Sequence, residues 1–253
     1  MNNTTSKKIT YTGIMIALVF LGTFVLKIPT PFTNGYIHLG DAFVFLSGVI
    51  LGPLYGALAA GIGSALADLL GGYGQWVLPT FIIKALMAAI IGFLASKKDN
   101  RKVILLISGL FSVAWVGFNL LMRFILSSQI TENSTELIPD VAGITTISEL
   151  TNLSSQVQNK LIFIALLVPI VMTIILLIFR KFSSTKFSLA YSSGFIIAGS
   201  FMVVAYYLAS SMMYGSYIVP ILDIPANIVQ FLAGVLIAHL LLPFAQKITP
   251  AKI

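Results

Sequence analysis

The stretch that decides the fold is residues 38–71, HLGDAFVFLSGVILGPLYGALAAGIGSALADLLG. It is apolar almost throughout, has no strand-type alternation, and is broken only by Gly52-Pro53. A membrane crossing takes about 20 helical residues, so 34 residues are long for one helix and short for two. Glycine followed by proline is a helix-breaking signal. A hairpin of two short helices and a single kinked helix therefore compete, and the rest of the chain has to choose.

Outward from it the same character continues. Of the 253 residues, 58% are hydrophobic and 9% are charged, against roughly 25% charged in a soluble domain. Such a chain requires lipid as solvent, where the backbone is satisfied only by helices or closed barrels. Apolar runs at 10–28, 38–52, 53–71, 78–96, 103–127, 159–181, 190–214 and 223–246 predict helices. The run after MNNTTSKK has no small-residue cleavage site before Lys27, so it reads as a retained first helix.

Charge placement selects the hairpin. With eight spans, Lys7-Lys8, Lys97-Lys98-Arg101-Lys102, Arg180-Lys181-Lys186 and Lys247-Lys252 share one side, and both termini are cytoplasmic. The loop 128–158, with Glu132, Glu136, Asp140, Glu149 and no basic residue, faces the other. One helix over 38–71 would reverse both loops against the positive-inside tendency. The +7 net charge is explained by these cytoplasmic loops and not by nucleic acid. Residues 103–182 form an out-and-back pair whose removal leaves topology unchanged. The expected organisation is an all-α integral membrane protein: core helices one to four in 1–102, an inserted hairpin in 103–182, and two last core helices in 183–253.

Charges at membrane depth are functional candidates by default. Asp68 and Lys84 fall at similar depth on antiparallel neighbours and are expected to pair. Around them, His38 and Asp41 enter the second helix, and Trp76 lies between the third and fourth. Tyr206 and Tyr207 crowd the seventh, while Asn227 and Gln230 share a face of the eighth. Rings with a few amides and charges suit a small polar heteroaromatic ligand. Asp223 reads as a helix cap, His239 as remote from the cluster, and Arg123 as a snorkelling side chain. Small residues Gly48, Gly52, Gly56, Ala60 and Ser64 recur every four positions, and Gly13 and Ala17 repeat the spacing in the first helix. Such ridges allow close helix approach, within the bundle or against another subunit. Without cysteine, HExxH, GxSxG, a Walker-type loop or a carboxylate cluster, neither catalysis nor a metal or cofactor is expected.

The run 37–92, with its GDAF, LGPLYGALAAGIGSALADLL and IIK elements, resembles the substrate-binding S components of energy-coupling-factor vitamin transporters. The branch it most resembles contains hydroxymethylpyrimidine and pyridoxine binders and is often grouped with riboflavin transport. IPANIVQFLAGVLIA at 224–238 looks like that family's last helix. The resemblance implies a six-helix S-component core in a bacterial cytoplasmic membrane, with a vitamin pocket at the outer face. It implies as partners a transmembrane coupling subunit and two cytoplasmic ATPases, with delivery by tilting. Gly13 and Ala17 match the family's small-residue contact with the coupling subunit, and Gly52 and Gly56 would extend the docking surface. The residues alone leave open a proton-coupled secondary carrier working through Asp68 and Lys84, or a non-transporting assembly or sensor subunit. The inserted pair 103–182 departs from the family pattern.

Overall fold

The computed structural model describes residues 3–30, 32–97, 100–181 and 189–248. The basic residues Lys98, Lys186 and Lys252 lie outside the described residues. The helices are α1 (Asn3–Phe24), α2 (Asp41–Leu70), α3 (Val77–Ser96), α4 (Arg101–Leu137), α5 (Ile147–Lys181), α6 (Leu189–Tyr214) and α7 (Val219–Ile248). A two-stranded ribbon, β1 (Ile28–Pro29) with β2 (Tyr36–Ile37), links α1 to α2. Among the described residues, seven helices are long and apolar enough to cross a membrane.

The second of the seven is folded back on itself. Gly52 sits at φ 75°, ψ −174°, a region open essentially to glycine alone, and Pro53 cannot supply the N–H that would continue the helix. A straight helix of 30 residues would hold its ends about 44 Å apart. Instead Tyr36, just before α2, donates a 2.5 Å hydrogen bond to Asp68 near its far end. The limbs 41–51 and 53–70 rise about 16 and 27 Å. The first limb is therefore shorter than the ~30 Å hydrocarbon core.

Small residues make the turn possible. A β-carbon on Gly56 would lie 2.7 Å from the Ser47 carbonyl oxygen, and one on Gly48 2.5 Å from that of Ala88. One on Gly92 of α3 would strike the Gly52–Pro53 backbone itself. The four-residue ridge is thus used largely inside the bundle. Gly56 is buried there, whereas Gly13 and Ala17 stand exposed on α1.

Around α2 pack α1, α3 and α7, with α6 closing the ring between α3 and α7. Phe45 of α2 stacks on Phe195 of α6 at 5.2 Å in the common core. Helices α4 and α5 pack chiefly on each other and lean on α6. Trp115 donates from Nε1 to the Ile164 carbonyl, which sets their register. The expected loop 128–158 is mostly helix: α4 runs on to Leu137, with a kink at the non-helical Asn133, and α5 starts at Ile147. Hydropathy marks where a helix leaves the lipid, not where it ends, and 128–137 holds neither proline nor glycine to stop it.

Candidate functional site

The fold-back brings the start and the end of α2 to one end of the bundle, together with the starts of α3 and α7 and the end of α6. Buried polar side chains gather there in two layers.

The lower layer is sealed. Lys84 of α3 forms an ion pair with Asp41, both fully buried. Gln230 of α7 donates from Nε2 to the other Asp41 oxygen at 2.9 Å, and accepts the His38 backbone N–H at 3.1 Å. Lys84 also meets Met202 Sδ at 3.1 Å and lies 5.3 Å from the Tyr206 ring centre. The expected Asp68–Lys84 pair is therefore replaced by Asp41–Lys84. Asp68 instead accepts from Tyr36 in the layer above, while the start of α2 carries Asp41 to the lysine.

The upper layer encloses a cavity of about 40 Å³, lined by Thr30, Thr33, Gly35, Tyr36, His38, Asp68, Trp76, Thr80, Tyr206, Asn227 and Gln230. Trp76 and Tyr206 meet edge to face at 5.7 Å, and Tyr206 donates to Thr80 Oγ1 at 3.1 Å. Tyr36 packs between His38 and Tyr73, at 5.5 and 4.5 Å. Asp68 accepts from Tyr36 through Oδ1, while its buried Oδ2 has no hydrogen-bond partner. A carboxylate oxygen buried without a partner in a cavity wall favours a donor that reaches it.

The ribbon β1–β2 and the residues 32–35 roof the cavity. Trp76 Nε1 donates to the Asn34 carbonyl at 3.3 Å, and Tyr214 donates to the Thr33 carbonyl at 2.5 Å. Thr33 Oγ1 donates to Asp223. Asp223 lies a full turn inside α7 and is buried, so it anchors the roof and does not cap the helix. Beside the roof, Lys27 is held by the rings of Phe24, Tyr36 and Tyr73, at 4.3, 4.9 and 5.3 Å from its Nζ. Burial lowers its pKa, against the pull of Asp68.

Protonation follows from the same geometry. Burial pushes the His38 imidazole down to about 3, with Lys84 adding to the effect. The ring is neutral, and because Nδ1 accepts the Gly40 N–H at 3.0 Å, its proton sits on Nε2. Burial and Asp68 raise the Tyr36 hydroxyl, which stays a donor.

Of the side chains expected at the site, His38, Asp68, Trp76, Tyr206, Asn227 and Gln230 line the cavity, and Asp41 and Lys84 lie beneath it. Tyr207 does not: it turns to Phe118 of α4 at 5.8 Å and donates to the Tyr217 carbonyl. Thr30, Thr33 and Thr80 were missed. Isolated threonines carry no pattern, and only the ribbon's register brings the first two inward. No group of three or more metal-ligating side chains occurs among the described residues.

The chain is similar to an uncharacterized protein from Pyrococcus woesei, 33% identical over 129 residues, half of this chain and 86% of that protein. It is similar to a UPF0397 protein of Streptococcus agalactiae, 40% identical over 101 residues, 38% of this chain and 53% of that one. A UPF0397 protein of Streptococcus pneumoniae is 37% identical over 108 residues, 42% of this chain and 54% of that one. The chain thus spans about half the length of these streptococcal relatives. No solved structure matches it. The family model described as ECF-type riboflavin transporter, S component, matches residues 3–175, from α1 through most of α5. With that match over more than half of its length, and with seven long apolar helices among the described residues, the chain belongs to the family of ECF-type riboflavin transporter S components.

Proposed function

We propose that this S component captures a small, single-ring heteroaromatic vitamin, of the pyridoxine or hydroxymethylpyrimidine kind, in the cavity under the ribbon β1–β2. The observation that carries the reading is the unpartnered Asp68 oxygen within an enclosure of Tyr36, Trp76 and Tyr206. It suits an edge-on hydroxyl, amine or ring N–H of a flat ligand. The charge balance agrees. Asp41 and Lys84 cancel each other and His38 is neutral, which disfavours a strongly anionic ligand. A one-ring ligand also requires a smaller displacement of the roof than a three-ring flavin, since the cavity is only about 40 Å³. The proton-coupled carrier is disfavoured, because Lys84 is sealed against Asp41 and does not line the cavity.

In this reading the chain crosses a bacterial cytoplasmic membrane eight times, counting both limbs of α2, with both termini inside and the cavity outside. The pair α4–α5 is an insertion between core helices. The exposed face of α1 at Gly13 and Ala17, extended by Gly52, meets a coupling subunit served by two cytoplasmic ATPases. Delivery follows by tilting of the whole bundle. Mass spectrometry of the small molecule released from gently purified protein, followed by calorimetry with each B vitamin, tests the reading. Recovery of a pyridine or pyrimidine vitamin with submicromolar affinity is expected. Recovery of riboflavin would overturn the ligand class. Binding of no vitamin would overturn the function.

A further inference from the structure

Four aromatic side chains that carry an N–H or O–H line the vitamin cavity: Tyr36, His38, Trp76 and Tyr206. Three of them spend that group on the protein. Tyr36 donates to Asp68, Trp76 to the Asn34 carbonyl and Tyr206 to Thr80. His38 differs. Its backbone N–H goes to Gln230, and its Nδ1 accepts from the Gly40 N–H. A backbone amide only donates, so Nδ1 carries the lone pair and Nε2 the proton. That Nε2–H has no hydrogen-bond partner among the described residues. It is not sealed off as the unpartnered Asp68 oxygen is, and the cavity is the space this side chain lines.

The direction of the donor is preset. Gly40 caps the start of α2 and Gln230 lies within α7, so both anchors of His38 belong to helices and not to the roof. A β-carbon on Gly40 would lie 2.9 Å from Nδ1, so the close contact depends on the absent side chain. Tyr36 packs on the ring at 5.5 Å. The ring cannot become an acceptor at Nε2 without setting two N–H groups against each other at Gly40. A ligand that displaces residues 32–35 on entry therefore meets an imidazole already in place.

We infer that His38 is a specificity-determining residue of this site: its Nε2–H donates to an unprotonated ring nitrogen of the ligand, and so selects a nitrogen heterocycle over a carbocycle of the same shape. This selection rests on the capture of a single-ring vitamin in the cavity. A neutral N–H suits the in-plane lone pair of a pyridine or pyrimidine nitrogen, whereas a C–H at that place leaves a buried donor unpaired. A protonated ring nitrogen sets donor against donor, so affinity falls once the ligand's ring takes up a proton. Asp68, an acceptor, cannot supply this contact, and the other three ring donors are spent.

Calorimetry on the purified full chain provides the test, with hydroxymethylpyrimidine, pyridoxine and, for each, the benzene analogue in which C–H replaces ring nitrogen. The parent chain is expected to favour a heterocycle over its analogue at least about tenfold. In His38→Phe that preference disappears, and His38→Gln, whose carboxamide can donate, restores part of it. A merely structural His38 would weaken both compounds alike, and a preference unchanged in His38→Phe overturns the contact. So does a parent chain that binds heterocycle and analogue equally, although capture of a vitamin then stands. Binding of none of the four compounds overturns that capture, and the contact with it. If the variants fail to fold, the parent chain still decides. It holds two histidines, and with isotope-labelled histidine the Nε2–H resonance of His38 should move further with the heterocycle than with its analogue. Equal movement overturns the contact.

Discussion

At the scale of the residue, the buried ion pair Asp41–Lys84 organises the floor of the site. Lys84→Met leaves Asp41 buried beside Gln230 without its cation, and such uncompensated charges cost about 3–5 kcal/mol. A large loss of thermal stability in detergent is expected for Lys84→Met, with most of it restored in Lys84→Met/Asp41→Asn. If the double variant is as unstable as the single one, the pair is not the source of the effect. His38 supplies a pH signature. Its folded-state pKa of about 3 lies below the ordinary histidine value, so the unfolded chain takes up more protons as pH falls. Its contribution is complete above about pH 6.5, and is lost progressively from there towards pH 3. At pH 5 the loss is about 2 kcal/mol, seen as a falling melting temperature that His38→Gln flattens. An identical pH profile for the variant would remove His38 as the cause.

At the scale of the element, α2 works only because it turns. Gly52 adopts a conformation other residues resist, and Gly56 faces the Ser47 carbonyl at a distance that leaves no room for a side chain. Gly56→Leu should cost about 3 kcal/mol by overpacking and should weaken vitamin binding as well, since it forces apart the limbs that carry Asp41 and Asp68. Gly74→Ala, at a glycine with open space around it, serves as the control. Equal stability of the two variants would contradict the tight turn. The break at Gly52-Pro53 was legible because it rests on backbone chemistry that any sequence displays. The extensions of α4 and α5 beyond the lipid were not, because hydropathy falls at the membrane surface whether or not the helix stops there.

At the scale of the whole molecule, exposure separates packing surfaces from candidate partner surfaces. Gly13 and Ala17 are exposed on α1, and nothing lies within 4 Å of a β-carbon built on Gly13. Gly13→Leu should therefore leave folding and vitamin affinity unchanged while lowering uptake at least tenfold, by spoiling the close approach of a coupling subunit. Vitamin binding by the purified variant and uptake by vesicles holding the complete transporter distinguish the two effects. Full uptake by this variant would dismiss α1 as the docking face.

Residence in a membrane, the helical class, the break in α2 and most of the side chains around the cavity were determined by sequence alone. Apolar length, charge placement and the grouping of rings and amides are properties of the chain in one dimension. The partner of Lys84, the roof role of Asp223 and the departure of Tyr207 were decided by tertiary structure. Position along a helix sets a side chain's depth, but its direction around the axis is set by packing. Once α2 folds back, both aspartates come to one end of the bundle, and their packing decides that Asp41 meets the lysine in the layer below while Asp68 stays in the cavity wall.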